Sequence, residues 1–144
     1  MLDCGTVRRE YAVRLVVVSG VLLLADLFFA PWYDKVYVIG YEVTRTAVEP
    51  PQGWLAVLAF LATAALLVEV VFSRISTTGL PEVAVPWVRI QLLQAAAVFV
   101  LVLLKLAVTG EYAWGSWVGV VLAGAFAYGV WAAAGRPTLA DWRG

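Results

Sequence analysis

Four stretches of mostly apolar residues, each about 20 residues long, dominate this chain and restrict the folds open to it. They cover residues 12–32, 54–72, 87–108 and 114–134. A helix needs about 20 apolar residues to cross the hydrocarbon core of a bilayer. Charged residues make up only 14% of the chain, against about 25% in a soluble domain, so a soluble globular fold is excluded. The sequence predicts an all-α integral membrane protein, a single domain whose four helices form a transmembrane bundle.

Basic residues are shared unevenly between the two sides of the predicted bundle. Only Lys35 and Arg45 fall on one side. The other side holds Arg8, Arg9, Arg14, Arg74, Arg89, Arg136 and Arg143. Because cytoplasmic segments carry the excess of Lys and Arg, we expect both termini in the cytoplasm and a multi-pass protein of the cytoplasmic membrane.

The connection between spans one and two, residues 33–52, is the only one long enough to fold by itself. It is rich in β-branched and aromatic residues around Gly40, a pattern that predicts an extracytoplasmic β-hairpin with strands at 35–39 and 42–47. A hairpin is marginal alone, so it should rest on the helix ends or on a partner. Tyr37, Tyr41 and Arg45 are the candidate partner-binding residues of this loop.

The remaining connections are short. Residues 73–86 carry Gly and Pro without helical periodicity and predict an ordinary loop. The connection at 109–113 has five residues, which makes spans three and four antiparallel neighbours. Trp32 and Trp114 lie at span ends, where amphipathic rings favour the membrane interface, so both are expected in an aromatic belt.

Three charged residues fall inside the spans, namely Asp26, Glu69 and Lys105. Asp26 and Lys105 lie at the same depth, roughly 7 Å inside one boundary, which allows an ion pair between spans one and three. Glu69 is level with Gln91 and near Arg89, and its expected partner is Gln91 or Gln94. Both amides belong to a polar stripe of span three that should face the other helices. Such groups either fix helix register or form a proton or cation site of a small transporter or channel.

Span four carries small residues that allow close helix approach in lipid. Its candidate packing positions are Gly115, Gly119, Gly124 and Gly129. Gly115 and Gly119 have the spacing of a dimerisation motif. These glycines serve packing within the chain or a seam between copies.

The sequence lacks the residue combinations that catalytic sites usually require. There is no His, one Cys and no cluster of carboxylates, so no triad, haem site or zinc site is predicted. We expect no enzyme activity, no cofactor and no metal. Net charge is zero, so no basic field for nucleic acid exists.

At Pro31-Trp32-Tyr33 the chain resembles small four-span membrane proteins of high-GC bacteria. In these, a Leu- or Phe-rich first span ends in Pro-Trp-Tyr before a short outer loop and three further helices. The resemblance implies a bacterial cytoplasmic membrane and supplies no activity. The layout is also similar to claudin-type proteins, but the paired cysteines of that family are missing, and nothing is transferred from it.

Two functions are compatible with these features. The leading hypothesis is a non-enzymatic accessory or scaffolding subunit whose partners are membrane lipids and either other membrane proteins or copies of itself. The alternative is a small ion or solute transporter or channel in which Asp26, Glu69 and Lys105 contact the transported species.

Overall fold

The computed structural model contains four long helices and one small sheet, and it describes residues 4–38, 41–49, 52–75, 81–82, 84–108 and 113–143. The elements are helix α1 (Cys4–Phe29), strands β1 (Pro31–Val38) and β2 (Tyr41–Thr46), and helices α2 (Gly53–Ile75), α3 (Trp87–Val108) and α4 (Trp114–Ala133). Each of the four helices is long and apolar enough to cross a membrane. The predictions of four helices of membrane-spanning length and composition and of a two-stranded antiparallel sheet are confirmed.

The helix ends agree with the predicted spans to within one residue except at the end of α2, which reaches Ile75 instead of residue 72, and at both ends of α1. α1 ends at Phe29, three residues before the predicted end at residue 32, because the chain enters β1 at Pro31. This helix begins at Cys4, whereas the apolar stretch begins at residue 12. Arg8, Arg9 and Glu10 are good helix formers, so hydropathy excludes them from a span but nothing prevents them from being helical. The first turns of α1 therefore extend the helix beyond its apolar part.

The helices pack around a buried apolar core. α1 packs most extensively against α4, α2 packs against α3, and α3 packs against α4, as the short connection between spans three and four predicted. The centre of the core is formed by Val16, Leu23, Leu66, Val98 and Phe126. Large apolar side chains such as Val68, Leu93 and Val121 face outward as well. A helix that is apolar on all sides suits a lipid environment.

Glycines of α4 stand where the neighbouring elements come closest. A Cβ atom on Gly129 would lie 2.9 Å from the Val16 side chain and 3.2 Å from its backbone nitrogen. A Cβ on Gly115 would lie 2.5 Å from the backbone oxygen of Pro31. Gly124 differs, since its nearest neighbour would be the Phe99 ring at an ordinary 3.7 Å. Packing within the chain thus accounts for Gly115 and Gly129 but not for Gly124.

The C-terminal segment folds back over the end of the bundle that lies opposite the hairpin. The Trp131 indole nitrogen donates a hydrogen bond to the Pro137 carbonyl oxygen at 3.1 Å. The Arg89 guanidinium of α3 lies 5.8 Å from the ring centre of Trp142, within the range of a cation–π contact. Hydrogen bonds from Thr138 to the Asp141 side chain cap the short terminal helix and lower the pKa of that carboxyl. The C-terminal segment therefore contacts both α3 and α4 at this end.

The close approach at α4 gives a first prediction, tested by Gly119→Ala with Gly124→Ala as its control. A Cβ on Gly119 would overlap the Trp32 ring and lie 2.6 Å from the Asp26 carboxylate, so overpacking should lower the free energy of unfolding by about 1–3 kcal/mol. Gly124→Ala should leave it unchanged or raise it by up to about 1 kcal/mol, because alanine favours the helix. Unfolding in mild detergent followed by circular dichroism measures both. Equal stability of the two variants would contradict the packing.

Candidate functional site

The hairpin lies between α1 and α2, where the sequence predicts it. β1 and β2 pair antiparallel, with Val36 opposite Val43 and Val38 opposite Tyr41. β1 starts at Pro31 and not at the predicted residue 35. Proline cannot continue the hydrogen-bond ladder of α1, and it is tolerated at the first position of a strand. The turn is predicted around Gly40 and Tyr41; Gly40 lies outside the described residues, and Tyr41 is the first residue of β2.

Trp32 fastens the start of the hairpin to the bundle. Its side chain is fully buried, and its indole nitrogen donates a hydrogen bond to Oδ2 of Asp26 at 3.0 Å. The prediction that Trp32 belongs to an interfacial belt is therefore wrong, because the ring is enclosed by protein. Trp114, at the same end, is 62% exposed, as a belt residue should be. We call the Asp26–Trp32 pair the anchor.

Helix α4 holds the anchor from its other side. The backbone N–H of Ala113, the residue that caps α4, donates to the Trp32 carbonyl oxygen at 3.1 Å. Gly119 leaves the space that the Trp32 ring and the Asp26 carboxylate occupy. The end of α1, the start of β1 and the start of α4 are thus joined by one buried hydrogen bond, one backbone hydrogen bond and close packing.

A second attachment holds the end of the hairpin where the chain leaves β2. The Thr46 backbone N–H donates to the Glu49 carboxylate at 2.7 Å, and Ala47 is fully buried. Gly53, the first residue of α2, lies so close to the Val48 carbonyl that a Cβ there would overlap it. The end of the hairpin is therefore held by the burial of Ala47 and by a tight turn that leads into α2.

The candidate partner-binding residues occupy different parts of this hairpin. Tyr37 pairs with Glu42, and Tyr41 pairs with Val38, so both tyrosines lie at the end away from the bundle. Arg45 lies nearer the bundle, opposite Tyr33, and is half-buried. Of the three candidate residues, Tyr37 and Tyr41 therefore lie in the distal part of the sheet and Arg45 does not.

The predicted partner of Asp26 was Lys105, but the structure provides Trp32 instead. Oδ2 of Asp26 accepts the indole hydrogen bond, and Oδ1 is buried without a hydrogen-bond partner among the described residues. Lys105 is 1% exposed on α3, so the prediction that it faces the bundle interior is confirmed. Depth arithmetic placed both groups inside the bundle, but it contains no information on how the helices are rotated.

The second predicted contact, between Glu69 and the polar stripe of α3, forms with Gln94. The Gln94 side-chain nitrogen donates to Oε1 of Glu69 at 3.0 Å across α2 and α3. Gln91, one turn away, lies on a cavity at the end of the bundle opposite the hairpin. The structure thus selects Gln94 between the two amides that the sequence left open.

Hydroxyl groups inside the bundle bind the backbone of their own helices. Ser19 donates to the Leu15 carbonyl, and Thr63 donates to the Ala59 carbonyl at 2.7 Å. Within the described part of the chain, no group of three or more His, Cys, Asp or Glu residues could hold a metal ion. The arrangement can hold a hairpin in place, and its geometry does not assemble a reacting centre from the residues described.

The anchor gives a second prediction, tested by Trp32→Phe. Phenylalanine keeps most of the ring but removes the donor, leaving the buried Asp26 carboxylate without that hydrogen bond. We expect the free energy of unfolding to fall by about 1–3 kcal/mol. Trp114→Phe, at the same end of the bundle but exposed, should have little effect. Thermal unfolding in mild detergent compares the two, and equal midpoints would contradict a role for the indole hydrogen bond.

Comparisons of the chain with protein-family models, with curated proteins and with solved structures give no match. The resemblance to four-span proteins of high-GC bacteria stays a prediction that rests on Pro31-Trp32-Tyr33 and on topology. Function has to be inferred from the hairpin, its anchor and the polar groups of the bundle.

Proposed function

We propose that this protein is a non-enzymatic accessory or scaffolding subunit of the cytoplasmic membrane, with both termini in the cytoplasm. In this proposal the hairpin formed by β1 and β2 is the surface that binds another membrane protein or a second copy of the chain. The observation that carries it is the two-stranded sheet, which is fixed to the bundle through the buried anchor.

The sheet has the features of a docking element. A two-stranded sheet leaves one edge of each strand unpaired, and such edges pair readily with an added strand. An isolated hairpin is marginally stable, whereas here the start of β1 is bonded to the residue that caps α4 and Ala47, just after β2, is fully buried. A hairpin that is ordered before binding loses less conformational entropy when a partner pairs with it.

The use of the buried polar groups also favours this proposal over transport. Asp26 accepts from Trp32, Glu69 accepts from Gln94, and Thr63 donates to its own helix. Groups engaged in these local bonds contribute to packing and register. A transport path through Asp26, Glu69 and Lys105 remains the alternative proposal, favoured by the burial of the charged Lys105 in α3.

The third prediction tests the hairpin as a docking element. A photoreactive phenylalanine analogue replaces Tyr37 or Tyr41, at the distal end of the sheet, in cells that make the protein. Irradiation should crosslink the same partner from either position. Mass spectrometry should identify that partner as one membrane protein or as a second copy of the chain. Introducing Trp32→Phe should reduce the yield, because the hairpin loses its anchor.

The control for this experiment places the same analogue at Tyr128, an exposed residue of α4 outside the hairpin. It should not yield the hairpin adduct. A protein that is strictly monomeric in mild detergent and gives no adduct from Tyr37 or Tyr41 would overturn the proposal.

The fourth prediction separates scaffolding from transport. Asp26→Asn and Glu69→Gln preserve an acceptor for Trp32 and for Gln94, so both variants should fold. If the carboxylates are structural, proton and potassium flux into liposomes should equal the leak of protein-free liposomes for wild type and both variants. Flux above that leak in the wild type, reduced by either substitution, would establish the transport alternative instead.

A further inference from the structure

The end of the bundle opposite the hairpin contains a cavity between the helices. Its volume is about 90 Å³, several times the roughly 10–15 Å³ that one water molecule needs. All four helices contribute to its wall, since Arg9 comes from α1, Arg74 from α2, Gln91 from α3 and Val130 from α4. The cavity is therefore formed by helix segments that are far apart in the sequence.

The wall of the cavity is divided by polarity. Val16 and Val130 are almost completely buried and form apolar surface towards the bundle core. Arg9 and Arg74 are exposed and supply positive charge, and the half-buried Gln91 adds an amide. A ligand that fits this wall has an anionic group next to an apolar group.

Arg9 and Arg74 differ from other arginines at this end of the molecule. Arg14 lies 5.9 Å from the Tyr11 ring centre, and Arg89 contacts Trp142. For Arg9 and Arg74, the part of the chain that the structure describes provides no ion pair, hydrogen bond or ring contact. Both side chains are exposed, so their guanidinium groups can reach a ligand in the cavity.

Two further clefts lie beside the cavity, one on each side of α1. Arg9 is shared with a cleft of about 240 Å³ towards the end of α4, which Arg8 and Arg136 also line. Arg74 is shared with a second cleft of about 240 Å³ towards the end of α2, which contains Arg14 and the one acidic lining residue, Glu10. Five arginines therefore surround the cavity and its two lateral clefts.

The geometry points to a binding site for the phosphate of an anionic phospholipid, with the headgroup in the cavity and the lipid reaching it through a cleft beside α1. Guanidinium groups bind phosphate oxygens through paired, charge-assisted hydrogen bonds, and basic pockets between transmembrane helices bind lipid headgroups. The valines of the wall then contact the glycerol and the first acyl carbons.

Each polar residue of the wall has a defined part in this site. Arg9 and Arg74 bind the phosphate, and the Gln91 amide donates to one of its oxygens. The Ser73 hydroxyl already donates to the Val70 carbonyl at 2.8 Å, so it can only accept from the headgroup. The lateral clefts favour a membrane lipid over a soluble phosphate compound, because a lipid arrives from within the bilayer.

The fifth prediction tests this site on the full-length protein in mild detergent. Thermal unfolding and native mass spectrometry are measured with added phosphatidylglycerol, with phosphatidylcholine and with inorganic phosphate. Phosphatidylglycerol should raise the melting temperature and stay bound as an adduct, and the other two should do neither. Arg9→Gln with Arg74→Gln should weaken phosphatidylglycerol binding by tenfold or more, because each charge-assisted hydrogen bond lost costs about a factor of ten.

Arg143→Gln is the matched control, since it removes a charge in the C-terminal segment but lies outside the cavity wall. It should bind phosphatidylglycerol like the wild type. If Arg143→Gln lost as much phosphatidylglycerol binding as the double variant, general surface charge would explain the binding and the site would be overturned. If inorganic phosphate raised the melting temperature as much as phosphatidylglycerol, the lipid assignment would be overturned. If the double variant misfolds, Gln91→Leu serves instead, and unchanged phosphatidylglycerol binding in that variant would overturn the site.

Discussion

A carboxylate placed between helices in a membrane protein needs a hydrogen-bond donor, because lipid supplies none. In this chain the donor for Asp26 is the indole of Trp32, six residues later, beyond the proline that ends α1. The chain therefore turns back sharply after Phe29 and begins a strand at Pro31. This bond acts together with the backbone hydrogen bond from Ala113 to Trp32 and with the close packing on Gly119 to place the start of β1 against α4.

Small residues on α4 are the counterpart of that constraint. A tryptophan ring fits between α1 and α4 only if one helix has no side chain at the contact, and Gly119 meets this requirement. Gly115 allows the backbone of Pro31 to approach the same helix. The spacing of four residues, which in another chain would join two copies, serves here to seat a strand of the same chain. The glycine spacing predicts close packing against this face of α4, but it does not identify the element that packs there.

The sequence was sufficient for the spans, the hairpin and the interior position of Lys105, because each follows from hydropathy or periodicity. It was insufficient for the anchor. A tryptophan after a proline at a span end is typical of an interfacial belt. The sequence therefore does not distinguish the buried Trp32 from the exposed Trp114. Depth arithmetic likewise paired Asp26 with Lys105, since depth is a one-dimensional quantity and the rotation of α3 is set by packing. The signal that could have identified the anchor is an intramembrane acid close in sequence to a tryptophan across a chain reversal.

The two ends of the bundle satisfy their polar groups in opposite ways. At the hairpin end the acid and the indole bind each other inside the protein, which fixes one geometry and leaves the strand edges as the surface open to a partner. At the other end two exposed arginines lie beside a cavity and have no partner among the described residues, and this is the place of the proposed phosphate site. A lipid bound there would hold α1 against α2 and α4, and α1 and α4 also contact the strands of the hairpin. Binding of a lipid headgroup at one end would thus stabilise the packing of α1 and α4. The position of the hairpin at the other end depends on that packing.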